Sequence, residues 1–250
     1  MKHPIWIALA AGLAVLLVAF AMPLWHWLGD GSSPRDVAAV APVSGSTAAA
    51  DAPAQNSGLP WQIVVTGDGR SEVFGLQLGR DQLAQVIQRF GDDLQVALVA
   101  RLDEVGLLEV FLEPMRAGFV SGRLVAGFDV PADVLSRWRA NSPKSQVMAG
   151  GVRRFALLPA DLAEAAAMPL VSLSFVPGVR LSQDDVLERF GPPEASHALP
   201  EQALAMLYPA KGLLVLVQPG LRGVLQYVAP AQFEARLRAP LTTKLKTAPG

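Results

Sequence analysis

Residues 1–28 form an apolar stretch that contains no Asp, Glu, Lys or Arg after Lys2. As an α-helix, Ile5 to Leu28 would span about 36 Å, enough to cross a hydrocarbon layer of about 30 Å. Its tryptophans lie near both ends, where indole rings favour the membrane interface (Trp6, Trp25 and Trp27). The pattern predicts a single-pass transmembrane anchor, and the positive charge before it places the N-terminus in the cytoplasm.

A cleaved signal peptide is the alternative interpretation of the same stretch. Ala19-Phe20-Ala21 has the small-residue spacing of a cleavage site, which would remove residues 1–21. The apolar run continues past that site to Leu28, and Met22-Pro23 is a poor start for a mature chain, so an uncleaved anchor is favoured. Both interpretations export the rest of the chain.

Residues 29–60 mix Ala, Ser, Pro, Gly, Val and Thr without an apolar period, and they contain no aromatic residue. Such a composition cannot bury enough apolar surface to fold and predicts a disordered linker. About thirty residues of coil have an r.m.s. reach of about 30 Å. The folded region would therefore sample space well away from the membrane surface.

Two short helices with the same pattern follow the linker. In the first, Leu83, Val86, Ile87 and Phe90 fall at positions i, i+3, i+4 and i+7, which places them on one face, and Gly91 ends the pattern.

The second helix lies about a hundred residues later, in the segment 181–193. Ser182 and Asp185 have the spacing of a capping box at its start, and Gly191 followed by Pro192 stops it.

Alternating or continuous apolar runs around these helices predict strands. The predicted strands are 61–65, 71–74, 94–101, 106–112, 119–128, 152–158, 170–176, 203–208, 213–218 and 223–228. Three further helices are predicted at 131–139, 159–167 and 230–238.

Short matches between the two halves keep their order along the chain and indicate an internal repeat. The predicted fold class is α+β, a tandem pseudo-repeat of helix, three-stranded antiparallel meander and helix that follows the anchor and linker. The sheets would be covered by helices on one face. The predicted divisions are a first repeat at 61–140, a connecting segment at 141–177, a second repeat at 178–240 and a flexible tail at 241–250.

The composition excludes several classes of function. The chain has no cysteine, which removes disulfides, thiolate metal sites, cysteine nucleophiles and a lipid-modified N-terminal cysteine. Its net charge of −1 gives no electrostatic basis for binding nucleic acid.

Each polar motif has a structural explanation. Asp184 and Asp185 suit the start of the second helix, where carboxylates stabilise the positive end of the helix dipole. Gly67-Asp68-Gly69 joins two strands and predicts a hairpin turn rather than a phosphate loop. His197 lies in a predicted polar loop without the context of a catalytic or metal site. Three arginines near helix ends complement the negative dipole rather than form an anion site (Arg89, Arg180 and Arg189).

A carboxylate pair is the remaining route to enzymatic chemistry. A hydrolase would draw its acid and base from Asp103, Glu104, Glu109 and Glu113, which lie on the predicted strand 106–112 or in the turns that flank it. Such pairs work only when their environments separate the two pKa values. We therefore predict no enzyme, and no catalytic, cofactor-binding or metal-ligating residue.

The segment Gly178–Pro193 resembles the helix and glycine-proline signature of the small outer-membrane-assembly lipoproteins of the SmpA/OmlA (BamE-like) family. In that family such a helix precedes a three-stranded antiparallel sheet, which fits residues 203–228. The resemblance implies a protein–protein role in assembly of the bacterial envelope. The chain departs from the family in having no cysteine to lipidate, a predicted inner-membrane anchor and a tandem unit. Its Ala, Leu and Arg usage is also typical of exported single-pass proteins of proteobacteria with GC-rich genomes.

Three functions follow from these patterns. The first is a non-enzymatic module, tethered to the inner membrane and periplasmic, that binds an envelope protein in envelope assembly or maintenance. The second is a lipid or small-molecule sensor with an apolar pocket between the two repeats. The third is the carboxylate-dependent envelope hydrolase.

Overall fold

The computed structural model describes residues 58–91, 94–101 and 104–247. The predicted anchor and all but the last three residues of the predicted linker lie outside these ranges. Within them, no helix is long and apolar enough to cross a membrane.

The strands and helices follow the chain in a mixed order. The strands are β1 (Val64–Val65), β2 (Ser71–Val73), β3 (Leu76–Leu78), β4 (Gln95–Ala100), β5 (Leu107–Ala117), β6 (Val120–Phe128), β7 (Ser145–Val147), β8 (Arg153–Phe155), β9 (Leu170–Pro177), β10 (Ala195–Ala198), β11 (Leu204–Tyr208), β12 (Leu213–Val217) and β13 (Val224–Val228). The α-helices are α1 (Leu83–Phe90), α2 (Ala132–Asn141), α3 (Pro159–Ala165), α4 (Gln183–Phe190) and α5 (Ala239–Thr247), with a π-helical turn at Glu234–Arg238.

One ten-stranded antiparallel sheet dominates the structure, in the order β10-β11-β12-β13-β9-β6-β5-β4-β8-β7. Strand β9 lies at its centre and pairs with β6 on one side and β13 on the other. All eight residues of β9 are buried. A strand buried along its whole length needs partners at both edges and cover on both faces, because its backbone groups cannot reach water.

The predicted fold class, a tandem pseudo-repeat of helix–meander–helix units, is therefore wrong. The meanders β4–β6 and β11–β13 do form, but they are the two arms of a single sheet. The strand that joins them, β9, lies in the predicted connecting segment 141–177. Apolar periodicity identifies a strand but carries no information about which other strands it pairs with. The pattern therefore does not show that the two meanders belong to one sheet.

Helices lie on both faces of the sheet, which also differs from the prediction, although on the second face they cover only the arm β11–β13. Helices α1, α2 and α4 pack against the main core on one face, through Leu83, Trp138 and Val186 among others. On the other face, the C-terminal helices pack Phe233 and Leu237 against the arm β11–β13. The predicted flexible tail is helical to Thr247, because burial of Leu241 in this second cluster holds α5 in place.

The two helices of the repeated pattern are confirmed as local structure. Ser182 Oγ accepts a hydrogen bond from the Asp185 amide at 3.1 Å, and the Asp185 carboxylate accepts one from the Ser182 amide at 2.9 Å. Gly91 and Gly191 follow α1 and α4 with φ of 80° and 77°, a conformation that costs glycine little. Capping residues therefore fix where each helix begins and ends.

The contact between β6 and β9 depends on glycine at position 122. A Cβ atom there would press against the carbonyl oxygen of Val176 and lie 2.6 Å from the Phe175 ring. We expect Gly122→Ala to lower the free energy of unfolding by about 1–3 kcal/mol, since neither neighbour can move freely. Denaturant titration measures this loss. Gly67→Ala is the matched control, because a Cβ at Gly67 meets nothing within 4 Å; an equal loss in both variants would contradict the prediction.

Candidate functional site

The acidic pair at the start of α4 serves the helix. Asp185 also accepts a hydrogen bond from Arg189 Nη1 at 3.1 Å. The hydrogen bonds from Ser182, with a smaller contribution from Arg189, hold the pKa of the Asp185 carboxyl below its usual range. Asp184 is exposed beside it. The capping interpretation is thus confirmed: the Asp185 carboxylate is hydrogen-bonded to residues of its own helix and its cap.

Two of the candidate catalytic carboxylates, Glu109 and Glu113, are held apart in the described structure. Asp103 lies outside the described residues. Glu113 accepts two hydrogen bonds of 2.8 Å from Arg123 on the neighbouring strand. Glu109 lies on the same strand as Glu113, about 13 Å away at about 3.3 Å per residue. At Glu104, the backbone carbonyl accepts a hydrogen bond from Arg139.

Glu109 has an unusual environment, which follows from its register in the sheet. The residues opposite it are Ala97 on β4 and Gly127 on β6, neither of which has a side-chain donor. Its Oε1 is shielded from solvent and has no hydrogen-bond partner among the described residues, although part of the side chain remains accessible. Burial raises the pKa of the Glu109 carboxyl from 4.5 to about 7, and the charge of Arg154 acts in the opposite direction.

Glu109 should therefore make stability depend on pH. Its folded-state pKa is raised, so folding favours the protonated form; stability should fall as pH rises from about 4.5 to about 7 and then level off. Glu109→Gln should remove this dependence and be more stable than the parent by about 1–3 kcal/mol at pH 8, less than the full shift implies because the side chain is partly solvated. Denaturant titrations at pH 4, 6 and 8 measure the difference; equal pH profiles for the two proteins would contradict it.

The other polar motifs are dispersed over the fold. Gly69 donates to the Thr66 carbonyl at 3.0 Å in the turn between β1 and β2, which confirms the predicted hairpin. His197 lies in the edge strand β10, opposite Ala205, rather than in a loop. Arg89 donates to the Phe74 carbonyl at 3.2 Å. Across the part of the chain that the structure describes, no three His, Asp or Glu side chains lie together as a metal site requires.

An apolar groove lies at one end of the sheet, where helix α4, the start of β6, the end of β9 and the segment before β1 meet. It has a volume of about 200 Å³. Its lining is mainly apolar and comprises Pro60, Trp61, Phe119, Val120, Phe175, Pro177, Val179, Leu181, Val186, Phe190 and Leu225, with Ser121, Asp185 and Arg189 as polar members.

The floor of the groove is part of the main core. Phe175 and Val186 are buried there, and Phe175 packs against Phe74 with ring centroids 5.4 Å apart. Phe74 packs in turn against Tyr227, at 5.6 Å. Burial raises the pKa of the Tyr227 hydroxyl well above its usual range, so the group stays a donor, and it donates to the Pro60 carbonyl at 2.9 Å. This hydrogen bond fixes Pro60, the neighbour of Trp61, to the floor of the groove.

Trp61 forms one wall of the groove, and its ring is held between two side chains. Its ring lies 5.8 Å from the ring of Phe119, between centroids, and the Arg189 guanidinium lies 4.9 Å from its centroid. Cation–π contact of this kind favours a fixed indole orientation. Because Asp185 holds Arg189 in turn, the cap of α4 positions the aromatic wall.

The outer rim of the groove exposes large apolar side chains. Phe119 is 82% exposed and Val179 is 60% exposed. An open apolar concavity beside exposed apolar side chains is typical of a binding surface for a partner molecule. The groove can bind apolar groups by burying them, and its arginine and aspartate are already paired with each other.

Sequence reasoning missed this groove, since three of the segments that line it, around residues 60, 120 and 180, lie more than fifty residues apart. One local signal was present: Gly118-Phe119 forms the two-residue turn between β5 and β6, as the pairing of Ala117 with Val120 requires. The sequence predicts Phe119 as the first residue of the strand 119–128, whereas the structure places it, exposed, in the turn. Comparison with known proteins adds no assignment: no family model, no curated protein and no solved structure matches the chain.

Proposed function

We propose that the protein is a non-enzymatic binding module, tethered to the bacterial inner membrane, whose apolar groove binds a segment of an envelope protein. The observation that carries this proposal is the rim of the groove, where Phe119 and Val179 are exposed beside an apolar floor. Burial of such side chains is the main driving force of protein association. Trp61 supplies the aromatic anchor that energetic hot spots usually contain.

The size of the groove favours a protein segment over a free small molecule. Sites that enclose a drug-sized ligand have volumes of about 300–1,000 Å³. The groove, at about 200 Å³, accommodates one or two apolar side chains. A lipid or small-molecule sensor is the second candidate, and its support is the position of the groove where the two arms of the sheet meet.

The arrangement of the carboxylates supports a role without catalysis. Acid–base pairs need two carboxyl groups that face one substrate from nearby positions. Glu113 is instead paired with Arg123 through two hydrogen bonds, and Glu109 lies four residues before Glu113 on the same strand. The hydrolase is therefore the least supported of the three functions.

The predicted topology supports a partner in the periplasm. The uncharged stretch at 1–28 would hold the protein in the membrane with its N-terminus in the cytoplasm, and the linker would let the groove reach its partner. The resemblance of Gly178–Pro193 to the BamE-like lipoproteins supports a role in envelope assembly or maintenance, because α4 forms one side of the groove.

Site-specific photo-crosslinking in intact cells tests this proposal. A photoreactive residue at Val179, on the rim, should trap one defined envelope protein with the full-length chain. The same residue at Val147, which is 64% exposed on the edge strand β7, is the matched control and should trap none. Trp61→Ala should reduce the yield at Val179 about tenfold, the effect of losing about 1.4 kcal/mol of binding.

The outcomes separate the candidate functions. Identical adducts at Val179 and Val147, or no protein adduct at Val179, would contradict the proposal. Adducts with phospholipid alone would instead favour the lipid-binding alternative.

A further inference from the structure

We propose that the end of the sheet that carries the groove docks onto an anionic lipid bilayer. Three loops meet there: the Gly118-Phe119 turn, taken with the strand ends that flank it (116–121), the β9–α4 loop at 178–182 and the β12–β13 loop at 218–223. They are held together, since Gly178 donates to the Ser121 carbonyl at 2.7 Å and a Cβ at Gly223 would lie 3.0 Å from that of Leu181. These three loops are called the loop end below.

The loop end projects an apolar tip. Phe119 is the most exposed large apolar side chain among the described residues, at 82%. It occupies the turn of the β5–β6 hairpin, which continues for two residue pairs past the last pair between β6 and β9. Leu59 packs beneath the same turn, because a Cβ at Gly118 would lie 2.8 Å from its side chain. An exposed aromatic tip with apolar support can enter the interfacial layer of a membrane without refolding.

The charges around the tip suit an anionic surface. The three loops contain Arg116, Arg180 and Arg222, all exposed, and no carboxylate. Arginines close to an anionic leaflet gain electrostatic energy from its surface potential. Two exposed carboxylates lie beside the loops: Asp184 at the start of α4, and Glu201, which accepts a hydrogen bond from Gln218 Nε2 at 3.2 Å. Asp185 is already bound to Arg189. The three arginines still outnumber these two carboxylates.

The described chain also begins at the loop end. Pro60 and Trp61 line the groove, and the 57 residues that precede Gly58 include the predicted anchor. The tether would therefore arrive at the same end as the apolar tip and the arginines. Because a tether keeps the local lipid concentration high, even a weak affinity for the surface is enough for docking.

This inference does not rest on the proposed function. The two proposals share Phe119 and Val179, which lie both on the rim of the groove and in the loop end. Docking adds the arginines of the loops and is measured in vesicles that contain no other protein. Either proposal can fail while the other stands.

Fluorescence of the full-length protein in reconstituted vesicles tests docking without any partner. The chain has no cysteine, so a single Pro219→Cys or Ala210→Cys carries an environment-sensitive dye. These residues are both exposed, in the turns at the two ends of β12. In vesicles of phosphatidylcholine with phosphatidylglycerol, a dye at position 219 should be quenched several-fold more by lipid-borne nitroxide than a dye at position 210.

Two variants identify the groups responsible. Phe119→Asp should bring the quenching at position 219 down to that at position 210. The combined change of Arg116, Arg180 and Arg222 to Gln should do the same, as should phosphatidylcholine alone, or salt of about 1 M, where the Debye length is about 3 Å. Equal quenching at the two positions in anionic vesicles would overturn the inference. So would strong quenching at position 219 that neither variant changes.

Discussion

Trp138→Ala should destabilise both arms of the sheet together. Trp138 is fully buried in the main core, and its Nε1 donates to Glu164 at 3.1 Å. Removing a buried indole leaves a cavity, and we expect the free energy of unfolding to fall by about 3–5 kcal/mol. Hydrogen exchange should show this loss in β11–β13 as well as in β4–β6, because β9 joins the two arms into one sheet.

The comparison of the two arms distinguishes a continuous sheet from independent units. If protection falls in β4–β6 but stays at the parent level in β11–β13, the arms unfold separately and the expectation fails. Trp138→Phe is the control for cavity size, with a smaller expected loss of about 1–2 kcal/mol. Glu164 keeps its second partner, Arg137, in both variants.

The local elements of the fold could be predicted because their signals are local. The capping box of Ser182 and Asp185 and the glycine after α4 set the bounds of that helix within a dozen residues. Strands β4, β5 and β6 follow from apolar runs between turns. In each case the interactions that decide the conformation lie within one helical turn or one hairpin.

The assembly of these elements could not be predicted for the opposite reason. An apolar run such as β9 reports that it is buried, but its partners β6 and β13 are about fifty residues away in each direction. The same limit applies to Glu109, whose environment is set by Ala97 and Gly127 on neighbouring strands. Likewise, Trp61 becomes a groove wall only through Phe119 and Arg189.

Phe175 and Phe119 offer a matched test of what the groove region contributes to stability and to binding. Both are phenylalanines at the groove, but Phe175 is fully buried beneath it and Phe119 is 82% exposed at its rim. Phe175→Ala should lower the free energy of unfolding by about 3–5 kcal/mol, through lost burial and a cavity beside Phe74. Phe119→Ala should change it by no more than about 0.5 kcal/mol, as is usual for exposed positions.

Denaturant titration of the two variants in the same detergent measures the difference directly. A loss above about 1 kcal/mol in Phe119→Ala would mean that the rim side chain supports the fold, which is the role that buried aromatic residues usually have. Near-neutral stability combined with loss of lipid quenching or of the crosslink at Val179 would instead assign Phe119 to binding. Phe119 would then be an exposed aromatic side chain that the fold does not need. Its role in the two-residue turn would be to contact a partner outside the chain.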